Sequence, residues 1–217
     1  MIRLGITGHR PNRLQLDPLV LAGRVREVLG ALVSAAADPQ ATGPVLDVQS
    51  PLAEGADQLV AEQALLLGQN LTVLLPMAIA DYEATFAAAS ARKPFRKLLA
   101  AASSTLTLEA RARHRQAAFA AIGLTTVARS DLMLTIWDGK PADGPGGTPQ
   151  ILQSALQSNV PVIWIDAVRD RAPVLLRADP QDQYAGCDAL TALARQAKPI
   201  AEPAYRALVA AVRTEAQ

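Results

Sequence analysis

The sequence predicts an α/β fold in which helices cover both faces of a doubly wound, mostly parallel sheet, with a C-terminal helical tail. Short apolar runs alternate with stretches of helical periodicity along the chain. Almost none of the apolar runs alternates polar with apolar residues, so both faces of the sheet should be covered. The chain is 50% hydrophobic but only 4% aromatic, and a core of Ala, Leu, Val and Ile suits helices on a parallel sheet.

The first third of the chain predicts three strands with a helix between each pair. The predicted strands are 2–7, 43–50 and 71–76. In the first helix Asp17 is the expected N-cap, and Pro18 takes the first helical position, where its missing N–H costs nothing. Gly68 is the expected C-terminal cap of the second helix.

The remaining chain predicts two more strands, "DLMLTIWDG" and "VPVIWID", after a variable middle region that is mainly helical. Within that middle region "STLTLE" fits either a short strand or a loop. Between the two strands a helix is expected from Pro149 to about Ser158, with Thr148 as its N-cap and Asn159 closing it in the left-handed conformation. The tail contains a short apolar piece, "APVLLRA", and two helical stretches.

A length of 217 residues suits one domain with an appendage. We expect residues 1–167 to form a ligand-binding domain and residues 168–217 to form a helical extension packed on it. The single cysteine allows no disulfide framework and no cysteine-based metal site within one chain. His9 and His114, the two histidines, lie far apart in the sequence, so no metal site is expected.

The charge balance bears on the partners. There are 21 basic and 20 acidic residues, a formal net charge of +1. This balance predicts neither a nucleic-acid partner, which would need many basic contacts to phosphates, nor a membrane surface. The N-terminus enters a strand pattern directly and has no signal peptide, so a cytoplasmic protein is expected.

A ligand site is expected at the carboxyl ends of the strands, where open parallel sheets bind their ligands. Glycine occurs there together with polar or charged side chains after the first, second and fourth strands. The candidate binding residues are Thr7, Gly8, His9, Arg10, Ser50, Glu54, Gly55, Asp57, Asp138, Gly146, Gly147, Thr148 and Gln150.

The loop "WDGKPADGPGGTPQ" predicts a phosphate-binding helix start. Free N–H groups are expected at Thr148, Gln150 and Ile151, and the helix dipole adds roughly half a positive charge. Gly146 and Gly147 lack side chains, so an anion could approach the backbone closely. The spacing matches neither the P-loop nor the dinucleotide fingerprint. The alternative is that the glycines only make turns.

Other candidates also have a plain structural explanation. Arg10 suits a phosphate or carboxylate but could form a surface salt bridge, and His9 could contact a ligand or only stabilise its loop. Glu54 and Asp57 could accept hydrogen bonds from ribose hydroxyls or be ordinary acids at a helix start. Asp138 is expected to face the site.

Two residues outside the candidate set are also relevant. Tyr82 could stack on a base or only pack at a helix start. Arg115 belongs to a run of three arginines and is expected on a solvent-exposed helix face.

Four segments resemble the SLOG superfamily, in the order that it shows: "GITGHR", "SPLAEGADQLVAEQA", "LLP" and "RSDLMLTIWDGKPADGPGGTPQI". This group includes Lonely-Guy phosphoribohydrolases, the DNA-processing protein of natural transformation and the sensor domains of TRPM channels. The resemblance covers about residues 2 to 166 and implies a Rossmann-like fold that binds a nucleotide or nucleotide sugar. It implies that Gly8 and Arg10 line the pocket, and that many such proteins sense ligands in bacterial conflict systems.

The resemblance also assigns roles to two loops. It implies that Glu54, Gly55 and Asp57 approach a ribose or base, and that the stretch from Gly146 to Thr148 holds a phosphate. The phosphoribohydrolases carry a catalytic glutamate where this chain has Gln150, which cannot act as a general base. Hydrolysis of an N-glycosidic bond would need a carboxylate from Glu54, Asp57 or Asp138 instead.

The sequence therefore predicts a sensor of an ADP-ribose, NAD-derived or nucleoside phosphate ligand. The alternatives are a hydrolase of nucleoside 5'-monophosphates and an interaction module whose pocket is vestigial, and whether the chain is an enzyme stays open. No catalytic residue is assigned and no cofactor is expected. A homo-oligomer is possible for such a fold.

Overall fold

The computed structural model describes residues 1–40, 42–87, 89–110, 112–142, 146–178 and 187–215. Its centre is a seven-stranded sheet in the order β4-β3-β2-β1-β5-β6-β7. The strands are β1 (Ile2–Gly8), β2 (Leu46–Ser50), β3 (Asn70–Met77), β4 (Ser104–Ala110), β5 (Leu132–Trp137), β6 (Val162–Asp166) and β7 (Val174–Leu176). Every pair is parallel except β6 with β7. The predicted doubly wound, mostly parallel α/β fold is confirmed.

Eight α-helices accompany the sheet in the described part of the chain. They are α1 (Pro18–Ala36), α2 (Ala56–Leu66), α3 (Ile79–Glu83), α4 (Arg92–Ala101), α5 (Arg115–Ala128), α6 (Thr148–Gln157), α7 (Cys187–Gln196) and α8 (Glu202–Glu215). One group of helices packs together through α1 with α2 and α8, and another through α6 with α5 and α7. None of the helices described is both long and apolar enough to span a bilayer.

The helix ends follow their local sequence signals closely. The carboxylate of Asp17 accepts hydrogen bonds from the amides of Leu19 (2.9 Å) and Val20 (3.2 Å), as an N-cap does. Gly68 (φ 68°) and Asn159 (φ 58°) adopt the left-handed conformation just after α2 and α6. These three caps are confirmed. The predicted N-cap Thr148 is wrong, because Gly147 caps α6 and Thr148 is its first helical residue.

The segment "STLTLE", which the sequence leaves open between strand and loop, belongs to β4. This strand pairs in parallel with β3 and forms one edge of the sheet. Its residues are alternately exposed and half-buried, whereas β5 and β6 are buried throughout. An edge strand lacks a neighbour on one side and its apolar pattern is correspondingly weak, which explains the ambiguity.

The chain after residue 167 contributes to the sheet and to the core. Residues 174–176 form β7, antiparallel to β6. The tail was expected to be a helical extension, and this strand departs from that expectation. Helix α8 packs against α1, and Tyr205 and Leu208 are buried in the same core as the central strands. A boundary at residue 167 stays a prediction.

The topology defines where a ligand can enter. From β1 the chain proceeds through β2 and β3 to one edge, then returns to β5 on the other side of β1. The loops after β1 and β5 therefore diverge to opposite faces of the sheet and leave a crevice between them. In open parallel sheets such a switch point is where ligands bind.

Candidate functional site

A cavity of about 520 Å³ opens at this switch point, within the usual range for small-molecule sites. Its walls come from the loops after β1, β2 and β5, from α3 and from α5. The side chains and backbone of the following residues line it: Ile6, Thr7, Gly8, His9, Arg10, Asn12, Arg13, Pro51, Ala53, Asp57, Tyr82, Thr85, Arg115, Gln116, Phe119, Ile122, Gly123, Ala142, Gly146, Gly147, Thr148 and Ile151. Residues 143–145 of the glycine-rich loop lie outside the described residues.

Of the candidates from the sequence, eight line this cavity: Thr7, Gly8, His9, Arg10, Asp57, Gly146, Gly147 and Thr148. Five do not: Ser50, Glu54, Gly55, Asp138 and Gln150. Each of those five contacts a lining residue.

Asp138 is a buried anchor for the loop after β1. Its Oδ1 lies 2.8 Å from His9 Nε2, and its two oxygens accept hydrogen bonds from Arg13 Nη2 (2.7 Å) and Nε (2.9 Å). The Lys140 amide donates a further bond of 3.0 Å. Burial alone would raise the pKa of Asp138, but the bonds from Arg13, Lys140 and His9 outweigh it and hold the pKa below its usual value. The carboxylate is thus ionised and already occupied.

His9 connects this anchor to the start of α6. Its Nδ1 lies 3.4 Å from the hydroxyl of Thr148, and both side chains are buried. The Thr148 hydroxyl is directed at the imidazole, which is why it does not cap the helix. His9 therefore stabilises the junction of the two loops and also lines the cavity. Its contact with a ligand stays a prediction.

The start of α6 presents fewer free amides than expected. The amides of Gln150 and Ile151 donate to the Gly147 carbonyl at 3.0 and 3.2 Å, so the expectation that they are free is wrong. The cause is the cap, because α6 begins one residue earlier than expected. The amide of Gly146 donates to Gln150 Oε1 at 2.6 Å. No described residue accepts from the amides of Gly147 and Thr148.

Gly146 has a packing role besides its place in the cavity wall. Its φ of +78° is one that L side chains rarely adopt, and a Cβ there would lie 2.8 Å from the Ala120 amide nitrogen. The loop thus packs directly on the backbone of α5. This close approach fixes the amides of Gly147 and Thr148 next to the α5 residues that line the cavity.

Arg10 and Glu54 form one unit in the wall on the β2 side. Glu54 Oε2 accepts from Arg10 Nη1 at 3.3 Å and from the Ala87 amide at 2.9 Å. The guanidinium of Arg10 also lies 5.9 Å from the ring centre of Phe119. The Glu54 side chain is 5% exposed and that of Arg10 is 39% exposed. Arg10 therefore forms a salt bridge and still presents its positive charge to the cavity.

Asp57 is the acidic side chain that faces the cavity directly. It is 5% exposed and accepts a bond of 3.3 Å from the Ala53 amide. Burial raises its pKa to about 7, against the opposing effects of the Ala53 hydrogen bond and the positive charge of Arg10. At neutral pH the carboxyl group is therefore present both protonated and ionised, and it can donate or accept a hydrogen bond.

The other two candidates of this loop shape its backbone. Gly55 has a φ of +97°, and a Cβ on it would lie 2.7 Å from the carbonyl oxygen of His9. The Ala56 amide donates to the same carbonyl at 3.1 Å. The Ser50 hydroxyl accepts from the Leu52 amide at 3.1 Å. Gly55 is thus required so that the loops after β1 and β2 can touch.

Some lining residues were not among the candidates. Arg13, Phe119 and Arg115 line the cavity, and Arg115 is at the same time exposed to solvent, as expected. Tyr82, which the sequence leaves open, is buried and stacks edge-on with Phe86 and Phe95. A sequence signal exists only for Arg13, the second arginine of "HRPNR". The residues of α5 reach the cavity because this helix connects β4, at the edge of the sheet, with β5, which lies next to β1. No local sequence pattern encodes this placement.

No metal site is apparent in the described residues, where no group of three or more His, Cys, Asp or Glu side chains is placed to hold an ion. The arrangement instead combines two helix-start amides without a described acceptor, three arginines, an aromatic wall and one carboxyl group with a raised pKa. Together these groups suit an organic ligand that carries a phosphate.

Comparisons with known proteins find similar folds but no similar sequences. No family model matches the chain, and no curated protein matches it by sequence. The DNA processing protein A of Streptococcus pneumoniae is 14% identical with a TM-score of 0.55, over 97% of this chain and 61% of that one. The protein of the same name from Helicobacter pylori is 15% identical with a TM-score of 0.53, over 99% and 81%. The structural-genomics target TM1055 is 14% identical with a TM-score of 0.46, over 75% and 72%.

The two DNA processing proteins carry the comparison. Both have the fold of this chain, so the Rossmann-like architecture that the resemblance implies is confirmed. This chain spans about three fifths of the length of the Streptococcus pneumoniae protein. Identities this low are evidence for a shared fold and leave the ligand to be argued from the cavity.

One expectation about partners is wrong. The sequence predicted no nucleic-acid partner, but the Helicobacter pylori protein, which has this fold, binds single-stranded DNA. The prediction relied on a net charge of +1, which averages over the whole surface. Binding to phosphates depends on the local clustering of basic residues, and a nearly neutral chain can still contain such clusters.

Proposed function

We propose that the cavity binds a nucleotide or nucleotide sugar, of the ADP-ribose, NAD-derived or nucleoside phosphate class, and that the protein acts as a sensor of that ligand. The observation that carries this proposal is the pair of amides of Gly147 and Thr148 at the start of α6, beside the cavity, which bond to none of the residues described. A helix start with free N–H groups is a preferred site for phosphate.

Two positive charges support a phosphate in this position. Arg10 and Arg115 both line the cavity, from the loop after β1 and from α5. Arg10 is held by Glu54 and lies over Phe119, so little side-chain entropy remains to be lost when it meets an anion. A guanidinium can make two parallel hydrogen bonds to a phosphate, which a lysine cannot.

The other lining groups of the cavity suit a ribose and a base. Asp57 can accept a hydrogen bond from a ribose hydroxyl when it is ionised and donate one to a ring nitrogen when it is protonated. Phe119 and Tyr82 provide an apolar wall of the kind on which a base can stack. The cavity volume of about 520 Å³ leaves room for more than a single phosphate group.

Thermal unfolding of the purified protein against AMP, ADP, ADP-ribose, NAD, cyclic ADP-ribose and ribose 5-phosphate tests this proposal. A ligand at ~100 times its dissociation constant should add about 2.7 kcal/mol of stability. Gly147→Asp, which places a carboxylate at the free amides, should abolish the response. Gly23→Asp is the matched control, since Gly23 is exposed on α1 and a Cβ there meets nothing within 4 Å. A panel without any response, or a response that survives Gly147→Asp, would contradict the proposal.

Hydrolysis of an N-glycosidic bond is the second candidate, and the surroundings of Asp57 favour it specifically. Asp138 is occupied by Arg13 and His9, and Glu54 by Arg10. Asp57 alone among the three carboxyl groups lines the cavity and has a pKa near neutrality, which suits a general acid. Protonated Asp57 would give its proton to the leaving base as the bond between that base and the sugar breaks. Water would add to the anomeric carbon, and its proton would return to Asp57.

Chromatography of the ligand after incubation with the protein separates the two candidates. Asp57→Asn keeps the shape of the side chain but removes the acid. If the protein is a hydrolase, the wild type should release free base, while the Asn variant should bind the ligand and release none. An unchanged ligand with the wild type, together with a clear thermal response, would reject hydrolysis and retain binding.

A further inference from the structure

A second cleft, of about 260 Å³, lies at the carboxyl end of β6. It is bounded by the loop after β5, the loop after β6 and helix α7. Four basic side chains from these three segments converge on it: Lys140, Arg169, Arg171 and Arg195. We call this group the basic cleft.

Among the described residues, most of the positive charge in the basic cleft has no balancing negative charge. Arg171 pairs with Asp166, with 3.0 Å between its Nε and Oδ2. Lys140, Arg169 and Arg195 have no ion pair with any described residue. The other acid of the cleft, Asp138, is already bonded to Arg13 and His9. Three charges of the same sign therefore face one cleft with no counter-charge from the part of the chain that the structure describes.

The platform beneath these charges is rigid. The guanidinium of Arg171 lies 4.0 Å from the ring centre of Trp164, a cation–π contact that orients it. Asp166 also accepts the amides of Val168 (2.9 Å) and Arg169 (3.2 Å), which fixes the loop after β6. On the opposite side the hydroxyl of Thr191 donates to the Gly139 carbonyl at 2.9 Å and ties α7 to the loop after β5.

Convergence of like charges on a fixed platform disfavours folding through their mutual repulsion. An anion in the cleft would reverse the sign of that contribution. Guanidinium groups match the geometry of phosphate oxygens in particular, because each presents two parallel donors. We propose that the basic cleft binds a phosphate group and is a site separate from the switch-point cavity.

The phosphate could have two sources. It could belong to a small molecule that occupies the basic cleft alone, or it could be a second phosphate of a ligand whose first phosphate lies in the switch-point cavity. The two spaces are close, because Asp138 lines the cleft and its partner Arg13 lines the cavity. The test below distinguishes these sources.

Intrinsic tryptophan fluorescence is a local probe of this cleft. The chain has two tryptophans. Trp164 lines the cleft, and Trp137 lies beside it, with its Nε1 donating to the Lys140 carbonyl at 2.8 Å and its ring centre 5.8 Å from that of Trp164. Neither lines the switch-point cavity. Inorganic pyrophosphate, titrated at constant ionic strength, should therefore change the fluorescence in a saturable manner.

The double variant Arg169→Ala, Arg195→Ala removes two charges that form no ion pair with a described residue. Its apparent affinity for pyrophosphate should be at least about tenfold weaker than that of the wild type. Lys93→Ala, Lys97→Ala on α4 removes the same charge from exposed positions on another helix and should leave the titration unchanged. No saturable change in the wild type, or equal affinity in the Arg169, Arg195 variant, would overturn the proposal.

The source of the phosphate is identified by titrating the Gly147→Asp variant with pyrophosphate and, as a second probe, with ADP. If the responses to pyrophosphate and to ADP both persist in this variant, the cleft binds a phosphate compound on its own. If only the response to ADP disappears, the cleft receives the second phosphate of a ligand held in the cavity. Loss of both responses would mean that the signal arises in the cavity, which rejects a separate site.

Discussion

His9 and Asp138, 129 residues apart in sequence, are joined by a bond of 2.8 Å between Nε2 and Oδ1 at the ends of two adjacent parallel strands. Their side chains are 6% and 2% exposed. Because β1 and β5 flank the switch point, this bond fixes the spacing of the two loops that form the cavity. Asp138, which the sequence assigned to the ligand, thus positions the two loops without lining the cavity itself.

We expect Asp138→Asn to lower the free energy of unfolding by about 3 kcal/mol, because it leaves the buried Arg13 and His9 without their carboxylate. Urea denaturation measures the change. Asp131→Asn is the matched control at the other end of β5, where the partner Arg3 is 49% exposed, and should cost about 1 kcal/mol or less. Equal losses in the two variants would show that Asp138 does not anchor the loops.

Acid should remove the contribution of Asp138. The pKa of its carboxyl group is lower in the folded chain than in the unfolded chain, so its contribution is complete above the unfolded value of about 3.9 and is lost as the pH falls through the folded value. The difference in stability between the wild type and Asp138→Asn should therefore be constant near neutral pH and shrink below about pH 4. Urea titrations between pH 3 and pH 7 would show this, and a difference independent of pH would contradict it.

Asp57 should have the opposite effect on stability. Its pKa rises from 3.8 to about 7 on folding, so between these values the folded chain binds more protons than the unfolded one. Stability then falls as the pH rises through this window and levels off above it. At pH 8 the variant Asp57→Asn should be more stable than the wild type by roughly 2 to 4 kcal/mol.

Denaturant titrations between pH 4 and pH 8 would test the prediction for Asp57. Asp81→Asn on α3 makes the same change in charge at an exposed position and should retain the slope of the wild type. If the slope persists in Asp57→Asn, another group causes it, and Asp57 would lose its support as a general acid.

Local signals predicted the frame of the fold well. Asp17 caps the start of α1, and Gly68 and Asn159 cap the ends of α2 and α6, as expected. Such caps depend on residues only a few positions apart. The cap of α6 was misplaced by one residue, since the Thr148 hydroxyl is directed at His9. That contact spans 139 positions, and no pattern within a helix can reveal it.

The sequence predicted which loops form the candidate site. The loops after parallel strands meet at one edge of the sheet, and this rule places Gly8, Arg10 and Asp57 in one cavity. The same rule cannot tell which acid faces the ligand. Asp138 turns to Arg13, a residue 125 positions away, while Arg115 reaches the cavity on a helix that crosses the sheet.

Gly55→Ala should destabilise the protein by roughly 2 kcal/mol or more. The φ of +97° disfavours any side chain, and the added Cβ would lie 2.7 Å from the His9 carbonyl oxygen, a backbone atom that cannot move aside. Gly23→Ala in α1 meets no atom within 4 Å and should stabilise by about 0.5 to 1 kcal/mol. Thermal unfolding of both variants measures the difference. A Gly55→Ala variant as stable as the wild type would mean that the two loops do not touch as described.

Gln150→Ala should tighten the binding of a phosphate-bearing ligand. The side-chain oxygen of Gln150 lies 2.6 Å from the Gly146 nitrogen, so it occupies an amide next to the two free amides of Gly147 and Thr148. Removing it exposes a third donor, and one more hydrogen bond to a charged group strengthens binding by about tenfold. Calorimetric titration with whichever nucleotide stabilises the wild type measures the gain. Gln157→Ala, at the exposed last residue of α6, should bind as the wild type does. Weaker binding by Gln150→Ala would mean that the Gln150 amide contacts the ligand itself, and the phosphate would then lie away from the Gly146 nitrogen.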